Sequence, residues 1–419
     1  MVVAVAPVAA FGVVFATRPT EGGRVMSSRV LALTCLVTLG CRGNSAPPSG
    51  PPPAAEGAPA PVATQPAPRT WPVGPVATPN PLISRGKPVF ATNLAPFARP
   101  QAVDDGVYNS FAGTWNGGVP TAAQPATVAI QVGAGPRRVL VEWSAGGNYN
   151  YTDTEYGSPG SYRIETSADS RDGSDGAWKV AATNPSCTVH AEEHVIDFAG
   201  QSWVRMVITG VPAKSPNGVQ LDEIEVYDVS GGVGDSWFFL GDSITALVFN
   251  RMTPAHQPDF AALVHARNPR FFPVMIDGGV GGIGVAYAVE HVDAWLALNP
   301  DMRFWAIGLG TNDAAGNNMD TSSFGQALST VITKVKAAGH IPIVAKIPYS
   351  SDGSHDTVPE YNLVISELTA QNDLLPGPDL YSWFAAHPDQ LRDGIHPTDA
   401  GALAVSRLWA EAVASVYAK

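Results

Sequence analysis

Four short polar motifs in the C-terminal half of this chain carry residue types that could do chemistry. Gly241-Asp242-Ser243-Ile244-Thr245 follows the apolar run Trp237 to Leu240. Asp277-Gly-Gly-Val-Gly-Gly282 follows Phe272 to Ile276, and Gly308-Leu-Gly-Thr-Asn312-Asp313 follows Phe304 to Ile307. Asp393-Gly-Ile-His396-Pro stands near the C-terminus. A serine hydroxyl is a poor nucleophile until a base takes its proton, and histidine is the side chain whose ordinary pKa suits that task. An aspartate three residues before the histidine can accept from its other ring nitrogen and fix the tautomer. Glycines let a backbone N–H approach a substrate oxygen closely, and an asparagine amide adds a side-chain donor. The chemistry implied is nucleophilic attack on an acyl carbon.

Those motifs need a scaffold. Trp237-Phe-Phe-Leu, Phe272-Pro-Val-Met-Ile, Phe304-Trp-Ala-Ile, Ile341-Pro-Ile-Val-Ala and Leu380-Tyr-Ser-Trp are short continuous apolar runs, as expected of strands buried on both faces of a parallel sheet. Helical periodicity is clearest over 323–338 and 360–371, with a final helix around 400–417. The pattern predicts a three-layer α/β/α domain over 233–419, about the size of one ordinary domain. In open parallel sheets chemistry gathers at the carboxyl ends of the strands, and the four motifs fall there or in the loops beyond.

Taken together and in this order, the motifs resemble the four sequence blocks of the SGNH/GDSL hydrolases, spanning nearly all of the predicted domain. The resemblance implies Ser243 as nucleophile, His396 as general base and Asp393 as the residue orienting it. It implies an oxyanion hole made by the N–H groups of Ser243 and Gly282 with the Asn312 amide. No metal or organic cofactor is implied for catalysis. One position departs from the family pattern: Asp277 stands where the second block often opens with Asn, and is read as scaffold. Asp242 and Asp313 are read as loop braces, and His355 and His387 as surface histidines.

Upstream, over 82–232, the rhythm is that of short alternating strands separated by Gly/Asn/Ser/Pro clusters: Thr127-Val-Ala-Ile-Gln-Val, Arg138-Val-Leu-Val-Glu-Trp, Tyr162-Arg-Ile-Glu-Thr, Trp203-Val-Arg-Met-Val-Ile and Leu221-Asp-Glu-Ile-Glu-Val-Tyr. This predicts an all-β sandwich. Ala102-Val-Asp-Asp-Gly, Trp115, Tyr162 to Ser167, Trp178 and the closing Asp222-Glu-Ile-Glu-Val-Tyr are similar in order to the galactose-binding-like (discoidin-type) jelly roll. That resemblance implies a structural calcium near Asp105 and Glu223, hard oxygen ligands suiting that ion. It also suggests sugar stacking on the loop tyrosines Tyr149, Tyr151 and Tyr156, against the alternative that these pack on their own domain. His190-Ala-Glu-Glu-His194 matches an inverted zinc-protease pattern, but that chemistry needs both histidines on one helix face. The segment runs into Val195-Ile-Asp-Phe with strand character, so the zinc reading is rejected.

The remaining features concern location. A charged, then apolar, segment starting at Met26 and ending at Cys41 reads as an export signal of lipoprotein type over 1–41, with Thr38 departing from the usual leucine. Residues 42–81 are Pro/Ala/Gly-rich and cannot bury enough apolar surface to offset ordering entropy, so an extended or disordered stalk is expected. Cys187 is the only cysteine beyond that point, so no disulfide framework is expected. A net charge of −12, with no run of five basic residues, argues against nucleic acid as a partner. An exported, stalked hydrolase behind a jelly roll suggests removal of O-acetyl groups from polysaccharide. The alternatives are a lipid or aryl esterase and a non-catalytic carbohydrate-binding surface protein.

Overall fold

The computed structural model describes residues 82–417 except 93–98, 107–113, 146–155, 216 and 250–256. The export segment with Cys41, the Pro/Ala-rich segment, Tyr149 and Tyr151 lie outside the described residues. Strands β1 (Val89–Ala91), β2 (Trp115–Gly118), β3 (Ala126–Gln131), β4 (Arg138–Ala145), β5 (Ser161–Ser167), β6 (Lys179–Asn184), β7 (Ala191–Asp197), β8 (Trp203–Gly210) and β9 (Val219–Asp228) form the N-terminal β-rich region. They make two antiparallel sheets, ordered β1-β3-β8-β5-β6 and β2-β9-β4-β7. The sheets meet where Trp143 of β4 donates its indole N–H to the Tyr162 hydroxyl of β5 at 3.0 Å, the rings edge-on. That hydroxyl also lies 2.8 Å from His194 Nε2. His194 sits mid-strand in β7, opposite Val141 of β4. His190 therefore stands just ahead of the strand and His194 within it, not on one helix face.

From Ser236 onward the chain alternates strand and helix. Strands β10 (Ser236–Gly241), β11 (Val274–Gly279), β12 (Phe304–Gly308) and β13 (Ile341–Val344) form a parallel sheet ordered β11-β10-β12-β13. Helices are α1 (Ser243–Phe249), α2 (Phe260–Arg267), α3 (Val285–Leu298), α4 (Thr311–Ala314), α5 (Thr321–Ala337), α6 (Val358–Gln371), α7 (Leu380–Ala386) and α8 (Asp399–Ala412). Successive side chains of a strand point to opposite faces, and β10 shows what this does. Phe238 and Leu240 join a core with Trp295, Phe324 and Tyr361 of α3, α5 and α6, whereas Trp237 and Phe239 join one with Phe260 and Trp409 of α2 and α8. A strand apolar at every position is thereby required, and the region is α/β with helices on both faces of its sheet.

One predicted strand is a helix. Leu380 to Trp383 opens α7, because the Asp379 side chain accepts the Ser382 N–H at 2.9 Å and caps a helix start. Leu380 and Phe384, four apart, then bury together on one helical face. Only an isolated bridge between Lys346 and Asp379 pairs this stretch with the chain leaving β13.

The β-rich and α/β regions share one continuous hydrophobic cluster, with β4 and β7 packed near β11 and β7 near α3. Three polar contacts cross this seam or stand within it. The Asp301 N–H donates to Glu193 Oε1 at 2.8 Å, the Asn299 amide donates to the Ala191 carbonyl at 3.3 Å, and the His190 ring meets Trp295 edge-on at 6.1 Å. The connection between the regions is short, β9 ending at Asp228 and β10 starting at Ser236, and Val229 and Asp235 within it are buried.

Candidate active site

The parallel sheet delivers Ser243, Gly282 and Asn312 from the turns after β10, β11 and β12. Ser243 stands one residue beyond β10 and is the first residue of α1, with 9% of its surface exposed. Before it, Asp242 is buried and accepts the Ile244 N–H at 2.9 Å, so it braces the strand-to-helix turn. Burial pushes its carboxyl up to about 7, against the hydrogen bonds it accepts. Across from that turn, a Cβ on Gly279 at the end of β11 would collide with the backbone of Ala246 in α1. Only glycine lets the two turns close to this distance.

His396 approaches from the turn ahead of α8. Its Nε2 lies 2.9 Å from Ser243 Oγ, and its Nδ1 lies 2.7 Å from Asp393 Oδ2. The other carboxylate oxygen, Oδ1, accepts the backbone N–H groups of Ile395 at 3.0 Å and His396 at 2.7 Å. Partial burial works to raise the Asp393 pKa, but these bonds and the histidine beside it outweigh burial and hold it at about 2. The pair remains reachable by solvent, with 20% of the His396 side chain and 48% of the Asp393 side chain exposed.

Gly282 occupies the turn between β11 and α3 with φ +76°, in the left-handed region that favours glycine, and it is exposed. Asn312 sits in α4, after Gly310 at φ +123° turns the chain out of β12. The Asn312 amide donates to the carbonyl of Ile283, the residue after Gly282, at 2.9 Å. The loops of the second and third motifs are thus tied together, and the amide has a second N–H besides the one so used. Asp313 accepts the Val285 N–H at 3.0 Å and fixes the start of α3. Asp277 is buried in β11 and accepts the Gly279 N–H at 2.8 Å. Burial first, then the nearby Asp222 carboxylate, pushes its pKa well above the carboxylate range. A protonated Asp277 is the neutral counterpart of the asparagine common at this place in the block.

Other sequence candidates lie elsewhere. His387 stacks on Trp383 at 3.9 Å and is half-buried. His355, expected at the surface, is buried at 6% exposure, with Nδ1 2.8 Å from Asp352 Oδ1. The sequence carried the signal: Asp352-Gly-Ser-His355 has the same spacing as Asp393-Gly-Ile-His396. Tyr156 is half-buried, its hydroxyl accepting from the Asn217 amide at 2.6 Å, and Cys187 is a buried free thiol. Asp105 is exposed while Glu223 is fully buried and accepts the Gly106 N–H at 2.6 Å. Among the described residues no group of three or more His, Cys, Asp or Glu side chains is placed to hold a metal ion. An apolar cavity of about 40 Å³ lies behind α1, walled by Ile244, Val248, Phe260, Met275 and Trp409. Ser243, His396, Gly282 and Asn312 are not part of its wall.

Residues 239–404 match the GDSL-like lipase/acylhydrolase family. A search of curated proteins found no match. Among solved structures, a lipase/acylhydrolase from Enterococcus faecalis is 21% identical, covering 42% of this chain and 94% of its own, with a TM-score of 0.36. An acetylxylan esterase from Geobacillus stearothermophilus is 19% identical over 43% of this chain and 94% of its own, with a TM-score of 0.35. A chitosan-binding module of a Paenibacillus chitosanase/glucanase is 20% identical over 35% of this chain and 98% of its own, with a TM-score of 0.27. The segment from Phe239 to Ala404 is a domain of the GDSL-like lipase/acylhydrolase kind.

Proposed function

We propose that this chain is an exported serine esterase that removes O-acetyl groups from polysaccharide through an acyl-enzyme. One observation carries the mechanism: Ser243 Oγ, the His396 ring and the Asp393 carboxylate form a continuous hydrogen-bonded chain of 2.9 and 2.7 Å. His396 Nε2 takes the hydroxyl proton as Oγ attacks the ester carbonyl, and Asp393 stabilises the imidazolium that results. The carbonyl oxygen becomes an oxyanion, received by the N–H groups of Ser243 and Gly282 and by the Asn312 amide. On collapse, His396 returns the proton to the departing sugar oxygen, leaving acetyl on Ser243. Water then enters, His396 deprotonates it, and acetate leaves with the serine restored.

The polysaccharide part of this reading rests on architecture. The β-rich region supports a galactose-binding-like jelly roll through its two antiparallel sheets and its order of strands. Export rests on the apolar segment ending at Cys41, a candidate lipid anchor, and on the Pro/Ala-rich stretch after it. The test is acetate release from acetylated xylan and other acetylated glycans, run beside hydrolysis of p-nitrophenyl esters of increasing chain length. Wild type and Ser243→Ala are compared. Acetate release that vanishes in the variant, with little turnover of long acyl chains, is the expected outcome. Preference for long chains without glycan activity replaces this substrate with a lipid. Activity surviving Ser243→Ala, or failure of Ser243 to react with a fluorophosphonate, removes the mechanism.

A further inference from the structure

The loop between β13 and α6 touches both halves of the proposed catalytic machinery. On one side, the Ser350 hydroxyl donates to the Gly394 carbonyl at 2.6 Å, and the Ser351 N–H donates to the same oxygen at 2.8 Å. Gly394 lies between Asp393 and His396, with φ +85°, and its α-carbon faces the Asp352 backbone so closely that a Cβ would stand 3.0 Å from the Asp352 nitrogen. On the other side, the Gly316 N–H donates to the Ser354 carbonyl at 2.9 Å, and the Thr357 hydroxyl donates to the Ala314 carbonyl at 3.4 Å. Tyr361, one turn into α6, donates its hydroxyl to the Met319 carbonyl and holds it 3.3 Å from the Asp313 carbonyl. That is the turn carrying Asn312. One loop therefore spans from the base to the side-chain oxyanion donor.

Asp352 holds this loop in shape. Its Oδ1 accepts from the Ser354 N–H at 3.1 Å and His355 Nδ1 at 2.8 Å and lies 3.0 Å from the Ser350 hydroxyl, whose one proton it shares with the Gly394 carbonyl, and its Oδ2 accepts from the Ser354 hydroxyl. The His355 side chain is only 3% exposed and anchors the hub from the inside, while Asp352 sits on an exposed stretch of the loop. The Ser350 hydroxyl stands between the Asp352 carboxylate and the Gly394 carbonyl, so the hub reaches the His396 turn through one side chain.

We propose that Asp352, with His355 as its partner, is a positioning residue for the esterase reaction, holding the His396 turn in register with the Asn312 turn. The inference rests on the triad reading above. A displacement of about 1 Å at a reacting group can cost about a hundredfold in rate. Freeing one edge of the turn is expected to lower kcat about ten- to a hundredfold while leaving KM nearly unchanged, because the hub does not line the acyl position.

The experiment measures kcat and KM on p-nitrophenyl acetate, the rate of Ser243 labelling by a fluorophosphonate, and the thermal midpoint. The full chain is used, as wild type, Asp352→Asn, Ser350→Ala and Ser350→Thr. Expected are slower labelling and a kcat loss in Asp352→Asn, a smaller loss of the same kind in Ser350→Ala, recovery in Ser350→Thr, and an unmoved KM. Ser350→Ala leaves the hub's other bonds in place, so its result stands even if Asp352→Asn folds poorly. Labelling and kcat within twofold of wild type in Ser350→Ala overturn the inference while the triad stands. So does a kcat loss accompanied by an equal fall in the labelled fraction and in the thermal midpoint. A wild type that does not label at Ser243 overturns the triad and this inference together.

Discussion

Carboxylates and histidines gather in two places in this protein, and they behave in opposite ways. At the strand ends, Asp393 and His396 keep partial access to solvent, and hydrogen bonds hold the carboxylate ionised at about 2. In the seam between the β-rich region and the hydrolase domain, Glu142, Glu193 and Asp277 are shut away from water, as is Glu223 beside Gly106 within the β-rich region. There burial pushes the acids up, Glu193 to about 8 and Glu142, Glu223 and Asp277 well above their ordinary range. His190 in the same seam is driven down to about 3 by burial. The same residue types thus form a charged relay where water and hydrogen-bond donors reach them, and a neutral packing layer where they do not. Residue identity alone does not make a site.

The largest break in this contrast comes from Asp393→Asn. The amide keeps the shape of the turn but cannot hold the imidazolium, and kcat is expected to fall on the order of 10³- to 10⁴-fold on acetyl esters. A loss under tenfold would mean the base is oriented by something else. Next, Asn312→Ala removes one oxyanion donor, with an expected kcat loss on the order of 10²- to 10³-fold and KM little changed. A rise in KM alone would place Asn312 in ground-state binding.

The seam responds through stability. Glu193 has a folded-state pKa raised above its unfolded value, so the stability it confers is full below about 4.5 and is lost as pH rises through about 8. Glu193→Gln keeps an acceptor for the Asp301 N–H and removes the titration. Its thermal midpoint is expected to fall less steeply than that of wild type between these pH values, by a few degrees at the upper end. Parallel curves would show that Glu193 ionises in place without cost. The smallest effect belongs to Asp277→Asn: burial already disfavours the charged carboxylate, so kcat on acetyl esters should stay within about threefold of wild type. A large loss would give Asp277 a charge-dependent task in the loop of Gly282.

Much of the strand-end site was legible because parallel sheets place polar chemistry after apolar runs, and each motif keeps its partner within a few residues. Asp393 and His396 could be paired from spacing, as could the rejection of zinc at His190 to His194 from strand character. The reading of His355 as a surface residue failed for a local reason, since Asp352 repeats the three-residue spacing that marked His396. What separates the two turns is position: one faces Ser243 and the other packs inside a loop. The seam was not legible at all. Glu142 and Ser144 on β4 and Glu225 on β9 alternate with apolar neighbours, and Glu193 on β7 stands between Glu192 and His194, which in sequence describes a solvent-facing side. Only the tertiary arrangement buries them. Leu380 to Trp383 misled for a related reason, a four-residue apolar run being compatible with either strand or buried helix until Asp379 is recognised as a cap.

Strand β11 ends the parallel sheet, and the chain beside it belongs to β4 and β7. An end strand left bare is a template for pairing with foreign chains, and proteins ordinarily blunt or cover it. Here the cover comes from the preceding region, across a short connection anchored at both ends by the buried Val229 and Asp235. The hydrolase domain is therefore not a detachable cassette. Its neighbour cannot be exchanged for another binding module, or trimmed away to simplify the enzyme, without baring β11 and the neutral acids beneath it. The unit to express and engineer is the pair.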